Sequence, residues 1–290
     1  MDDKKSLIVA ENLSKSFKKI EVVKNFTTNF NEGERIALIG QNGAGKTTLI
    51  RCMLGHYVYD GSLDVLGYEP RTQRVDMLKE IGFVPQIPPP LKMTVSEMLD
   101  FFSKITGTQK GKFIDIAYNL GLQVNDNLGK AFLSLSGGMK QKLLVAIAIG
   151  REPKILLLDE PSANLDPDAR EVLFKYLDEF NKESLMILSS HRMNEISTLV
   201  NRVIEMDLGK IVLDEHLDSD SDSKLSFNYE VLLEKPFEEF ERILTDWNFE
   251  QNSNKLMWKG TLYHKDLVKF SNITSKFSQV IETMNSTKNL

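Results

Sequence analysis

Residues 40–48 read GQNGAGKTT, directly after the apolar run ERIALI at 34–39. This is the pattern G-x-x-x-x-G-K-[ST], which forms a phosphate-binding P-loop where it joins a strand to a helix. Both flanks fit, because 34–40 is typical of a short buried strand and 46–54 has helical spacing. An ordinary glycine turn is the alternative, and the lysine and threonine in register argue against it. The spacing differs from G-x-G-x-x-G, which disfavours dinucleotide binding.

Each part of this loop has a chemical role in the P-loop pattern. The backbone N–H groups of a glycine-rich turn can converge on a phosphate, and the following helix N-terminus favours negative charge. Lys46 would place its charge on the β- and γ-phosphates, and the Thr47 hydroxyl would ligate Mg²⁺. The predicted phosphate site comprises Gly40, Gln41, Asn42, Gly43, Ala44, Gly45, Lys46, Thr47 and Thr48.

A second buried strand ends in two acids, since residues 154–161 read KILLLDEP. A carboxylate at this edge, Asp159, can hold Mg²⁺, usually through water. Glu160 is one residue further on and can reach a water that attacks the γ-phosphate. An acidic pair that merely caps a strand is the alternative, and the P-loop earlier in the chain favours the catalytic interpretation.

Composition restricts the class of protein. The chain has 290 residues, 41% hydrophobic and 27% charged, which suits about two globular domains and excludes disordered or collagenous classes. Cys52 is the only cysteine, so no disulfide forms within the chain and a reducing compartment fits best. The apolar start is too short for a signal peptide, and no run is long enough to span a membrane. A net charge of −5 without a basic block disfavours nucleic acid as a partner.

The order of segments predicts an α/β domain followed by a smaller unit. Short apolar strands alternate with helical stretches, which indicates a parallel sheet, and 91–150 carries only helical periodicity. The acidic run DSDSDSK at 218–224 is typical of a linker. Beyond it, the patterns predict a strand, a helix opened by Pro236, a second strand and a second helix at 265–284, hence a βαβα domain over 225–290.

A further motif identifies a family, because residues 135–141 read LSGGMKQ. This resembles the LSGGQ signature of ATP-binding cassette (ABC) ATPases, with Met139 where the family usually has glutamine. A serine N-cap before a flexible turn is the alternative for an isolated SGG. The resemblance covers about residues 6–217. It implies a P-loop NTPase core with a parallel sheet, an antiparallel β subdomain, a helical insert at about 91–150, and here a small C-terminal α+β domain.

The resemblance also implies roles for other residues. Phe17 resembles the aromatic residue that stacks on adenine, and Gln86 resembles the Q-loop glutamine that contacts Mg²⁺ and senses the transport partner. Asp166 lies in a segment that resembles the D-loop, and His191 resembles the switch histidine at the γ-phosphate. A core phenylalanine, a turn glutamine and a structural histidine are the corresponding alternatives.

Together these residues form the expected site. The catalytic set is Glu160, His191, Lys46 and Gln86, and the Mg²⁺ set is Thr47, Gln86 and Asp159. ATP would further contact Phe17, Ser136, Gly137, Gly138 and Asp166. By resemblance, the signature residues complete the site of a second subunit, so that two ATP molecules lie between two chains.

The expected function is the ATP-hydrolysing subunit of an ABC transporter, with its permease on a separate chain and export favoured over import. It would form a homodimer, bind ATP and Mg²⁺, and lie in the cytoplasm at the inner face of the cell membrane. The alternatives are a non-transport ABC ATPase acting on ribosomes or DNA, a P-loop kinase, and a catalytically silent regulatory cassette. The SGG motif and His191 argue against a kinase, and the intact Lys46, Glu160 and His191 argue against a silent cassette.

Overall fold

The chain divides into two units, Met1–His216 and Leu217–Leu290, in a computed structural model. The structure describes residues 5–190, 196–217, 226–252, 256–263, 270, 273–274, 277 and 279–288. In chain order the strands are β1 (Ser6–Phe17), β2 (Ile20–Asn31), β3 (Arg35–Ile39), β4 (Asp60–Val65), β5 (Ile81–Val84), β6 (Ile155–Asp159), β7 (Leu185–Ser190), β8 (Arg202–Asp207), β9 (Lys210–His216), β10 (Ser226–Leu233), β11 (Glu250–Gln251), β12 (Met257–Tyr263) and β13 (Ile281–Lys288). The α-helices are α1 (Lys46–Met53), α2 (Arg74–Lys79), α3 (Val95–Thr106), α4 (Lys110–Asn119), α5 (Gly137–Gly150), α6 (Pro167–Glu179) and α7 (Glu238–Asp246).

The central sheet of the first unit has the strand order β5-β6-β7-β3-β8-β9. Its strands are parallel except at one edge, where β9 pairs antiparallel with β8. Every residue of β6 and β7 is buried, which explains their unbroken apolar sequences. Because β7 lies between β3 and β6, the P-loop that follows β3 and the two acids at the end of β6 lie at the same edge of the sheet, with the end of β7 between them.

The first unit also contains a smaller antiparallel sheet, in the order β2-β1-β4. The segment predicted as a helical insert holds α3, α4 and α5. A capping box starts α3, because the Thr94 side chain accepts from the Glu97 N–H while Glu97 accepts from the Thr94 N–H. The helix ends at Gly107, which has φ 72°. The predicted fold class, a P-loop α/β core with these two additions, is confirmed.

The described residues of the second unit form a four-stranded antiparallel sheet in the order β11-β12-β10-β13, and α7 contributes Phe240 and Leu244 to its core. The helix predicted over 265–284 is wrong at its C-terminal end, because β13 begins at Ile281 and pairs with β10. The apolar spacing of Val280 and Met284 suits a helix, but pairing with β10 satisfies the backbone as a strand instead. Among the described residues of the whole chain, no helix is long and apolar enough to cross a bilayer.

Candidate functional site

The predicted P-loop joins β3 to α1 and packs tightly against its surroundings. Gly40 has φ +142°, and a Cβ placed there would lie 2.2 Å from the carbonyl oxygen of Met206. Gly45 has φ +106°, and its Cβ would lie 2.7 Å from the carbonyl oxygen of Val22. Any side chain at these positions would therefore displace neighbouring backbone, which explains why the loop needs glycine there.

This loop lines a cavity of about 300 Å³. The cavity also receives two residues predicted from distant parts of the sequence, Gln86 after β5 and Glu160 after β6. Its complete lining is Val22, Asn42, Gly43, Ala44, Gly45, Lys46, Thr47, Thr48, Gln86 and Glu160. The structure therefore brings most of the predicted phosphate and catalytic residues to one place.

Lys46 is the cation at this cavity and is only 7% exposed. Its Nζ donates to the carbonyl oxygens of Gly40 at 2.6 Å and Gln41 at 3.2 Å. Burial lowers the pKa of Lys46, while the neighbouring Glu160 and Asp159 carboxylates oppose that shift. Two acids thus favour the charged amine at the position where phosphate would bind.

Asp159, at the end of β6, accepts hydrogen bonds from two hydroxyl groups. Its Oδ1 accepts from Thr47 Oγ1 at 3.1 Å and from Ser189 Oγ at 2.7 Å. The same Ser189 oxygen accepts from the backbone N–H of Glu160 at 3.0 Å. Glu160 has φ 49°, a left-handed conformation that is uncommon outside glycine and that its surroundings must stabilise. Ser189 therefore fixes both acids relative to β7.

The predicted Mg²⁺ residues fit that ion chemically. Thr47 and Asp159 present oxygen atoms 3.1 Å apart, and Gln86 lines the adjacent cavity. Hydroxyl, carboxylate and amide oxygens are ligands that suit Mg²⁺, which retains several waters in phosphate sites.

The signature turn lies elsewhere on the first unit. Ser136 caps α5, since its Oγ accepts from the Met139 N–H at 3.2 Å. Both glycines lie against Asn164. A Cβ placed on Gly137 would be 3.7 Å from the Asn164 Cβ, and a Cβ placed on Gly138 would be 3.1 Å from the Asn164 carbonyl oxygen. In the described part of the chain, the cavity lining includes neither the serine nor the two glycines. The N-terminus of α5 therefore lies outside the P-loop cavity.

The remaining predicted residues have separate positions. Asp166 caps α6 by accepting from the Ala169 N–H at 2.8 Å, and this hydrogen bond lowers the pKa of Asp166. Phe17, at the end of β1, is 40% exposed and packs edge-on against Tyr57 with ring centroids 5.1 Å apart. Lys15 Nζ lies 4.8 Å from the centroid of the Phe17 ring. His191 lies outside the described residues.

Sequence reasoning missed three residues at or beside the site, namely Val22, Tyr57 and Ser189. Val22 lies on β2, which no pattern connected to the P-loop. Tyr57, in the loop between α1 and β4, contacts Phe17 although the two residues are 40 positions apart in the sequence. Ser189 could have been found from the general rule that ligands gather at the carboxyl edge of parallel strands, since it directly follows the apolar run at 185–188.

Comparison with known proteins assigns the family. The family model for ABC transporter matches residues 23–163. The phosphate import ATP-binding protein PstB 1 of Enterococcus faecalis is 33% identical over 217 residues, which cover 68% of this chain and 85% of that protein. The chain belongs to the ABC transporter family. As in its relatives, it is the ATP-binding subunit of an ABC transporter, an ATPase coupled to transport.

Other ABC relatives differ in their stated roles. The lantibiotic transport ATP-binding protein SrtF of Streptococcus pyogenes is 31% identical over 79% of this chain and 99% of its own length. The linearmycin resistance ATP-binding protein LnrL of Bacillus subtilis is 29% identical over 71% of this chain and 68% of its own length. A solved ATP-binding subunit of an ABC transporter superposes with TM-score 0.66 at 24% identity, covering 74% of this chain and 92% of that one, which supports the fold.

Proposed function

We propose that two copies of this ABC subunit bind ATP with Mg²⁺ and hydrolyse the ATP at sites that they share. The observation that carries the proposal is the separation of two phosphate-binding elements within one chain. The P-loop cavity contains Lys46 and Glu160, whereas the Ser136 turn, with exposed Ser136 and Gly137, does not line it. A second copy can place its own Ser136 turn opposite the cavity, and the arrangement is then reciprocal, as a two-fold dimer requires.

In this proposal the P-loop residues bind the triphosphate. Backbone N–H groups of 42–48 surround the β- and γ-phosphates, and Lys46 neutralises them by exchanging its two carbonyl partners for phosphate oxygens. Thr47, Gln86 and Asp159 would hold Mg²⁺, and the bound ion would act as a Lewis acid towards the phosphate oxygens. Phe17 stacks on the adenine from its position at the end of β1.

Glu160 is the proposed base. It orients a water whose oxygen bonds to the γ-phosphorus and whose proton passes towards the Glu160 carboxylate, while the bond from phosphorus to the β–γ bridging oxygen breaks. The products are ADP and inorganic phosphate. Lys46 and His191 stabilise the charge on the γ-phosphoryl group, and Asp166 belongs to the segment that faces the opposite subunit.

Hydrolysis would then open the dimer. The γ-phosphate is the part of ATP that bridges the P-loop of one copy and the Ser136 turn of the other, so its release removes the contact that holds them closed. We propose that a membrane permease on a separate chain receives this motion. The subunit would accordingly lie in the cytoplasm, at the inner face of the membrane.

We also propose export as the direction of transport. Relatives named for lantibiotic transport and linearmycin resistance support it, and Met139 with the NGAGKTT loop resembles exporters of the ABC-2 kind. Relatives named for phosphate import stand against it. Transport assays on inside-out vesicles containing the copurified permease distinguish the two, because an exporter accumulates its substrate in such vesicles on addition of ATP and an importer does not.

The variant Glu160→Gln tests the proposed site. It should bind ATP and Mg²⁺, lose hydrolysis, and accumulate as a dimer on gel filtration with ATP but not with ADP. Its matched control is Glu152→Gln, an exposed acid after α5 that the site does not use. Retained turnover in Glu160→Gln would remove the residue from the role of base, and a monomer in saturating ATP would contradict the shared site.

A further inference from the structure

The helix that carries the signature turn contains a buried polar side chain with no partner. Gln141 lies on α5 and is fully buried. Among the described residues, neither Oε1 nor Nε2 of its carboxamide has a hydrogen-bond partner. Burying an amide without hydrogen bonds is unfavourable, so an unpaired carboxamide in a well-packed helix needs a physical reason.

The position of Gln141 on α5 indicates where its partner would be. It lies four residues after Gly137 and three after Gly138, and residues at these spacings share a face of a helix. Helical side chains also lean towards the helix N-terminus, so the Gln141 carboxamide covers the turn that holds the two glycines. That face of the turn is the one against Asn164, whose carbonyl oxygen lies 3.1 Å from a Cβ built on Gly138.

The segment 162–166 offers backbone groups for such a contact. Two tight turns close it, in which the Ala163 N–H donates to the Glu160 carbonyl at 3.2 Å and the Leu165 N–H donates to the Ser162 carbonyl at 3.1 Å. Asn164 is exposed at its tip, between these turns. The segment starts directly after Glu160 and Pro161, and the Ala163 hydrogen bond to the Glu160 carbonyl ties it to the proposed base.

We propose that Gln141 is a positioning residue whose carboxamide hydrogen-bonds the backbone of segment 162–166 only when ATP closes the dimer. The contact links the signature turn of one chain to the segment that follows its own Glu160. Each copy would thereby couple the ATP held at its signature turn to the ATP held at its own P-loop. This inference rests on the shared site proposed above.

The test replaces the carboxamide with an apolar group of similar shape. Gln141→Met removes both polar atoms, and Leu144→Met, three residues further along α5 and also buried, is the matched control for packing. In the ATP-free chain, Gln141→Met should leave the melting temperature unchanged or raise it, because replacing an unpaired polar group with an apolar one is neutral or favourable. A lower melting temperature, or failure to fold, would mean that the carboxamide is already paired and would overturn the proposal.

Closure is measured in the Glu160→Gln background, in which ATP-bound dimers accumulate. Adding Gln141→Met should raise the dimer dissociation constant at saturating ATP at least about tenfold, since two such contacts are lost per dimer. In the wild-type background, kcat should fall while KM for ATP changes little. Equal dimerisation with and without Gln141→Met, or an equal effect of Leu144→Met, would refute the role of Gln141. Failure of Glu160→Gln itself to dimerise would instead refute the shared site.

Discussion

Removing the Ser189 hydroxyl tests how the two acids at the end of β6, Asp159 and Glu160, are held in place. Ser189 is fully buried and makes two hydrogen bonds, to the Asp159 carboxylate and from the Glu160 backbone N–H. Ser189→Ala removes both and leaves the buried N–H of Glu160 without this acceptor. A hydrogen bond to a charged group is worth about 1.5–3 kcal/mol, and an unsatisfied buried group costs about 1–3 kcal/mol.

These contributions are not additive, because Asp159 keeps its bond from Thr47. We expect Ser189→Ala to lower the free energy of unfolding of the ATP-free chain by about 2–4 kcal/mol. Glu160 also loses a contact that stabilises its φ of 49°, so its carboxylate becomes less well placed. Because small misplacements of reacting groups are costly, kcat should fall about tenfold to a hundredfold, with KM for ATP within about threefold of wild type.

The assay is phosphate release over a range of ATP concentrations, together with thermal unfolding followed by circular dichroism. The matched control is Ser184→Ala, which removes a buried serine hydroxyl just before β7 that donates to the Pro153 carbonyl at 2.8 Å. It should lower stability by about 1 kcal/mol and leave kcat unchanged. Wild-type kcat in Ser189→Ala, or the same loss of kcat in both variants, would refute the positioning of Glu160 through Ser189.

Three further predictions concern other parts of the chain. Tyr57→Ala removes the edge contact that orients Phe17, so KM for ATP should rise about twofold to tenfold while kcat stays nearly constant. The control Tyr57→Phe keeps the ring and should bind ATP normally. An unchanged KM in Tyr57→Ala would show that Phe17 needs no support from Tyr57. Cys52 is fully buried within α1, and burial raises its pKa to about 11, so at pH 8 its thiolate fraction is about a hundredfold below that of a thiol of pKa 9. Alkylation should therefore be slow in the folded chain and fast in urea, and fast labelling of the folded chain would contradict the burial. Deleting 219–290 should leave ATP binding intact, because the first unit has its own core, and a truncated chain that is soluble but does not bind ATP would place part of the site in the second unit.

The sequence predicts the centre of the site well because that chemistry is local. The P-loop requires glycine, lysine and threonine at fixed spacing on one turn, and Asp159 and Glu160 come directly after the apolar run at 155–158. Parallel strands end at one edge of a sheet, so Lys46, Gln86 and Glu160 could be expected to meet there. The structure agrees, since all three line one cavity.

Residues that depend on long-range pairing could not be predicted in the same way. Ser189 acts on Asp159 because β6 and β7 pair in a register that places these two residues side by side. Nothing local to Ser189 fixes that register. The strand β13 was missed for the same reason, since its pairing with β10 overrides an apolar spacing that suits a helix. Gln141 lies in a sequence that is typical of a helix, so only the structure, in which its side chain is fully buried, sets it apart from an exposed polar residue of α5.

Mixing two inactive variants tests the shared site most directly. Lys46→Ala removes the P-loop charge, and Ser136→Arg blocks the signature turn, so a dimer of either variant alone has two defective sites. A mixed dimer has one site with both Lys46 and Ser136 intact. With equal amounts and random pairing, half of the dimers are mixed and each of these has one intact site of two, so hydrolysis should recover to at most about a quarter of the wild-type rate. No recovery in the mixture, or full activity of Ser136→Arg alone, would contradict a site built from two chains.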